Sequence, residues 1–147
     1  MPNVHFASDH AGVELRQQLQ EVARAAGFDV VDHGPPDASR VDYPDQAAKL
    51  AEAMAHDAES FGVLVCGTGI GMSICANRYD HLRAALVADA FSAQATRAHN
   101  DANVICIGAR TIGPGLAATF LNVFLSTPFE GGRHEARVNK FPAGAYI

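Results

Sequence analysis

Five short apolar segments, "NVHFAS", "FDVVDHG", "FGVLVCG", "LRAALVA" and "NVICIG", alternate along the chain with stretches that repeat apolar residues at helical spacing. Strands that are continuously apolar must be covered on both faces, and strands joined through helices run parallel with right-handed crossovers. The pattern therefore predicts the α/β class: a three-layer αβα sandwich, doubly wound and Rossmann-like, around a five-stranded parallel sheet.

The helices are marked as clearly. Leu15, Leu19, Val22 and Ala26 share one helix face, and Gly27 ends it. "PPDASRVDY" reads as a loop, with Pro44 an early position of an alanine-rich helix reaching about residue 58. "GIGMSICANRY" and "AFSAQATRAHN" predict the third and fourth helices. A fifth over 114–125 places Leu116, Phe120, Val123 and Phe124 on its apolar side, and a polar C-terminal helix runs from about 133 to 140. No repeat, low-complexity tract or linker divides the chain, so 1–147 reads as a single domain, long enough to bury roughly 70% of the surface its unfolded form exposes.

A net charge of −5 without any basic run argues against a nucleic-acid partner. No apolar run approaches the eighteen or so residues that span a bilayer, and "MPNVHFASDH" lacks a basic region followed by an apolar core. A cytoplasmic protein with no membrane partner is expected. Nine arginines against two lysines suit bidentate capture of phosphate or carboxylate. Three cysteines, Cys66, Cys75 and Cys106, form no CxxC and no Cys/His pair at zinc spacing, so neither a disulfide framework nor a structural metal is expected.

In doubly wound folds ligands lie beyond the carboxyl ends of the strands. That rule collects Ser8, Asp9 and His10 after the first strand, residues 66–71 after the third, Asp89 after the fourth and 108–110 after the fifth. "CGTGIG" is GxGxG after a third strand, not the dinucleotide fingerprint after a first; no Lys-Ser or Lys-Thr follows it. Met72 stands where a cysteine phosphatase loop would need arginine. What remains is a turn whose amides open a helix and can receive a phosphate or a developing oxyanion, or simply a turn that needs glycine. Cys66, in the amide field of the next helix, is a base or nucleophile, or else a small buried hydrophobe as Cys106 is. Thr68 offers a hydroxyl or a cap, and Asp9 with His10 an acid and an imidazole or a cap. His99 and Asn100 close the fourth helix, where a histidine also complements the dipole. Arg133 and Arg137, at i and i+4, form a fork for phosphate or a solvated face.

Together "SDHAG", "DYP", "CGTGIGMSICANR", "SAQATRAHNDANV" and "EGGRHEARV" cover almost the whole chain in order. They resemble the ribose-5-phosphate isomerase B family of sugar-phosphate isomerases (RpiB/LacAB). The resemblance implies an aldose–ketose isomerase that takes a small sugar phosphate through a cis-enediolate, with no metal or other cofactor. It implies a homodimer or dimer of dimers with sites at the interface. On the matching positions, Cys66 is the base between C1 and C2, and Thr68 with His99 assists ring opening. Asp9, His10 and Tyr43 line the pocket, the backbone of Gly67, Gly69, Ile70 and Gly71 cradles the enediolate, and Asn100 hydrogen-bonds the substrate. Arg110, Arg133 and Arg137 bind phosphate, with His99, Asn100 and Arg110 reaching across from a neighbouring subunit. Family members lacking the cysteine take the base from a glutamate at the position of Met72, so this chain falls in the cysteine-base branch. Ribose 5-phosphate is the first expectation for substrate, ahead of allose 6-phosphate or galactose 6-phosphate. A non-catalytic nucleotide- or anion-binding module is the alternative of a different class.

Overall fold

The apolar segments become β1 (Asn3–Ser8), β2 (Asp29–Asp32), β3 (Phe61–Cys66), β4 (Ala84–Leu86) and β5 (Val104–Gly108) of one sheet, ordered β2-β1-β3-β5-β4. Every pairing is parallel. The computed structural model describes residues 1–142, so the last five residues of the expected 1–147 domain lie outside the described residues. Between and after the strands run α1 (Val13–Ala25), α2 (Tyr43–Ala55), α3 (Ile70–Ala76), α4 (Ala90–Ala98), α5 (Pro114–Ser126) and α6 (Arg133–Val138).

Strand order decides which face each helix covers. A right-handed crossover that steps one way across the sheet lays its helix on one face, and the opposite step lays it on the other. The α1 and α4 connections step one way, α2 and α3 the other. The buried apolar residues accordingly divide in two. Leu15, Leu19, Ala93, Phe120, Leu121 and Phe124 pack on Val4, Phe6, Val63, Val65, Ile105 and Ile107. Across the sheet, Ala47, Leu50, Met54, Met72 and Ala76 pack on Ala7, Leu64, Cys66, Val104 and Cys106. Successive residues of β3 and β5 alternate between these cores with the period of two that strands impose. The expected three-layer doubly wound sandwich is the fold observed.

The departures are local. The edge strands β2 and β4 are short and only partly covered, because each has one neighbour. α2 stops at Ala55, before the expected 58, where Ser60 closes a turn by donating its amide and its hydroxyl to the Asp57 carbonyl. α6 ends at Val138, not 140. Leu116, expected on the apolar side of α5, is 58% exposed. The buried face is centred on Ala117, Phe120, Leu121 and Phe124, and Leu116 lies about 90° of helical rotation from that centre.

Candidate active site

β1 and β3 lie side by side, yet the chain leaves β1 towards one face and β3 towards the other, which opens a crevice at their carboxyl ends. Asp9 leaves β1 with its amide bonded to the Val65 carbonyl at 3.1 Å. Its carboxylate accepts from the Ala11 amide at 2.9 Å, so it does cap the turn His10–Gly12 that leads into α1. His10 Nδ1 accepts from the Val41 amide at 3.4 Å, drawing the 33–42 loop over the crevice.

β3 ends in Cys66, beside Gly108 of β5. The Cys66 sulfur accepts from the Gly69 amide at 3.2 Å. Turning that amide back requires Gly69 at φ +79°, a region that favours glycine. Thr68 Oγ1 accepts from the Ile70 amide at 3.2 Å. Cys66 is only 5% exposed, so its thiol is less open than its strand-end position suggests. The loop folds back over it, through bonds from the Ala109 amide to the Cys66 carbonyl (2.8 Å) and the Arg110 amide to the Gly67 carbonyl (2.9 Å). Tyr43, the first residue of α2, lies against Gly71, where a Cβ would stand 2.6 Å from the ring Cζ and 2.9 Å from the hydroxyl.

One edge of a single chain thus gathers Asp9, His10, Tyr43, Cys66, Thr68, Gly67, Gly69, Ile70, Gly71 and Arg110. Arg110 is exposed, and its side chain lies 3.6 to 3.9 Å from where a Gly67 Cβ would stand. It reaches the glycine loop of its own chain, whereas the resemblance has it crossing from a neighbour. Asp89 is occupied as the cap of α4, accepting from the Ser92 amide (2.7 Å) and hydroxyl (2.9 Å), bonds that hold its carboxyl below the usual range.

The remaining candidates lie elsewhere. His99 is the C-cap of α4, which returns to the start of β5, about 13 Å along the strand from Gly108. The Glu130 amide bonds the Ala98 carbonyl at 3.0 Å and so brings α6 beside it. His134 stacks face to face on His99, with centroids 4.3 Å apart at 12°. Arg133 and Arg137 stand exposed on either side of His134. Burial foremost, then the charges of His99 and Arg133, push the His134 imidazole below its ordinary range. The candidate residues of each chain therefore fall into two groups at opposite ends of the sheet.

A model of the Ribose/Galactose Isomerase family matches residues 4–141. The chain belongs to that family. Among the isomerases it resembles is the putative sugar phosphate isomerase YwlF of Bacillus subtilis, 46% identical over 93% of each chain. Ribose-5-phosphate isomerase B of Escherichia coli is 38% identical over 97% of this chain and 96% of its own. The crystal structure of a ribose 5-phosphate isomerase from Thermotoga maritima superposes with a TM-score of 0.90 at 45% identity, covering 95% of this chain and 96% of that one. The type B ribose 5-phosphate isomerase of Trypanosoma brucei gives 0.91 at 43%, with coverage of 95% and 96%.

Several features of this ribose/galactose isomerase were not legible in its sequence. His134 was read only as part of a polar helix. His99, Glu130 and His134 bring three ligand-type atoms within 4.8 Å of one another, a grouping with no sequence spacing to announce it. Imidazole lone pairs lie in the ring plane, so two parallel stacked rings do not aim at one ion as they stand. Arg16, an ordinary helix residue by pattern, is fully buried and donates to Ser8 Oγ and the Pro35 carbonyl, both at 2.6 Å, tying the end of β1 to the loop beyond β2. Ile70 and Ile74 are 50% and 56% exposed on one side of α3, and Phe91 is 72% exposed at the start of α4. No described helix is long and apolar enough to cross a membrane.

Proposed function

We propose that this family member interconverts ribose 5-phosphate and ribulose 5-phosphate with Cys66 as the base and without a cofactor. The observation that carries the reading is the Gly69 amide aimed at the Cys66 sulfur within a loop of further amides. Proton removal next to a carbonyl needs a base and, within the same small volume, donors for the oxygen that becomes negative. Once Thr68 and His99 have moved the protons that open the sugar ring, the Cys66 thiolate takes the proton from C2. The freed electron pair forms the C1–C2 double bond, and O1 becomes the enediolate oxygen facing the loop amides. A proton then passes from O2 to O1, Cys66 returns its proton to C1, and the carbonyl stands at C2. Arginines held away from the reacting carbons bind the phosphate and orient the chain without entering the chemistry.

The acting unit in this reading is a homodimer, or a dimer of such dimers, in which the Cys66 half-site of one chain meets the His99, Asn100, Arg133 and Arg137 half-site of another. Two observations support it: the roughly strand-length separation of the two groups of residues within a chain, and the exposed Ile70 and Ile74 on the helix that the glycine loop opens. Large aliphatic side chains exposed on one helix face suit an association surface.

A coupled assay against ribose 5-phosphate, allulose 6-phosphate and tagatose 6-phosphate, with Cys66→Ala beside the native chain, tests this. Turnover of the pentose phosphate that vanishes in the variant, with substrate affinity changed only a few-fold, is expected. Turnover of a hexose phosphate alone moves the substrate, and near-native kcat in Cys66→Ala removes the base.

A further inference from the structure

β1 carries a histidine in the middle of its apolar run, and nothing in the isomerase chemistry uses it. His5 is 4% exposed and points to the α2 side of the sheet, as Ala7 does. Its Nε2 lies 2.9 Å from Asp57 Oδ2, in the turn that follows α2, and its Nδ1 lies 2.9 Å from Nε2 of His33, the first residue after β2. The two ring planes differ by only 14°, yet their centroids are 5.2 Å apart. Rings that far apart with nitrogens that close meet edge to edge in one plane, which is the geometry of a hydrogen bond and not of stacking. Asn3 Nδ2 also donates to Asp57 Oδ2, at 3.0 Å, and fixes the carboxylate at the end of the chain of bonds.

The donors can be assigned in order. An ionised Asp57 only accepts, so His5 Nε2 carries a hydrogen; His5 Nδ1 is then a lone pair, and His33 Nε2–H donates to it. One added proton is accommodated without breaking a bond. It rests on the outer Nδ1 of His33, or is passed inward so that His5 Nδ1–H donates to His33 Nε2. A second proton puts hydrogens on both of the nitrogens that meet, and that contact must open.

What the contact holds is the entrance of the substrate loop. The His33 amide makes the last ladder bond to β1, to the Phe6 carbonyl at 2.8 Å, and Gly34 follows with its carbonyl on the Ser8 amide at 3.1 Å. The same loop ends at Val41 on His10 and at Tyr43 on Gly71. We propose that Asp57, His5 and His33 form a one-proton latch, with His33 as a positioning residue that keeps the 33–42 loop, and through it His10 and Tyr43, set for substrate, and that the second proton releases it. Besides His5, the charged groups facing His33 are Asp32 of β2, which favours its protonation, and Lys49 of α2, which opposes it. Burial, then His5, pushes the His33 imidazole below its ordinary range.

The reading of the loop rests on the proposed isomerase activity, but the latch itself is testable without it. The first measurement is nitrogen-15 imidazole spectroscopy of the assembled native protein between about pH 7.5 and 5, the range in which histidines change charge. The expected result is one shared protonation of His5 and His33 followed by a separate, more acidic step. Independent single-step titration of the two rings overturns the latch whatever the enzyme acts on. The second is KM for ribose 5-phosphate across the same range in the native chain, His33→Gln and His33→Leu. Glutamine still donates to His5 Nδ1 but takes no proton, whereas leucine cannot hold the contact. The substrate phosphate also titrates here, equally in all three proteins, so ratios of KM to that of His33→Gln isolate the latch. The native ratio is expected to rise at least about threefold on acidification, with kcat following the same profile in both, and His33→Leu is expected to be raised at every pH. Superimposable KM profiles for the three proteins overturn the positioning role.

Discussion

The arginine Arg137 and the glycine Gly71 act at the scale of single residues and in different ways. Arg137 is exposed on α6, one turn from Arg133. Arg137→Ala should leave thermal stability unchanged and raise KM on the order of tenfold, the loss of one charged contact of about 1.5–3 kcal/mol. An unchanged KM takes the residue out of the phosphate site. Gly71 is the reverse case. Its missing side chain is the space in which Tyr43 lies, so Gly71→Ala must displace the ring or shift α3. The expected cost is about 1–3 kcal/mol in urea unfolding, together with a raised KM if Tyr43 lines the pocket as proposed. Cysteines differ by the same kind of local reason. Cys106, inside β5, is fully buried, and burial pushes its thiol far up and leaves it inert, while Cys66 meets an amide hydrogen.

Among the elements, the β1 and α2 connections set the response to acid. His33 is pushed below its ordinary 6.5 chiefly by burial, and Asp57 is held below its ordinary 3.8 by bonds from Asn3 and His5. At both groups the native state binds fewer protons than the unfolded chain, so stability rises with pH and is lost as pH falls. The loss begins below 6.5 through His33 and continues below 3.8 through Asp57. The urea midpoint should therefore drop between about pH 7.5 and pH 5, by less in His33→Gln than in the native chain. A midpoint that rises on acidification contradicts the sign. The legibility of these elements varied with how local their causes are. Gly27 at φ +92° ends the first helix, and Pro44 opens the second, where sequence reading placed them. His5 was absorbed into an apolar strand, because its partners Asp57 and His33 are 52 and 28 residues away.

For the whole molecule, the proposed sharing of the site between chains makes a strong demand. If each complete site takes Cys66 from one chain and His99 from the next, a dimer of Cys66→Ala with His99→Ala has one doubly damaged site and one intact site. Co-refolding the two inactive variants should restore about a quarter of native activity, since random pairing gives half mixed dimers with one good site in two. Complete inactivity of the mixture places Cys66 and His99 in the same chain's site. Replacing Ile74 with a charged residue on the exposed face of α3 offers a companion measurement, in which loss of the proposed dimer by sedimentation should accompany loss of activity.

The alternation of apolar strands with amphipathic helices determined the fold class, the parallel sheet and the edge at which Cys66, the glycine loop, Asp9 and His10 converge. Those consequences follow from periodicity and from the fixed hand of crossovers, both of which act over a few tens of residues. Only the tertiary structure decided that Cys66 is covered by its own loop, that Arg110 reaches Gly67 within the chain, that Tyr43 fills the place of a Gly71 side chain, and that His99 stands at the far end of the sheet beside His134. Each of these depends on strand order and on contacts between distant segments, and a period shows which face of an element is buried but not which residue of another element it meets.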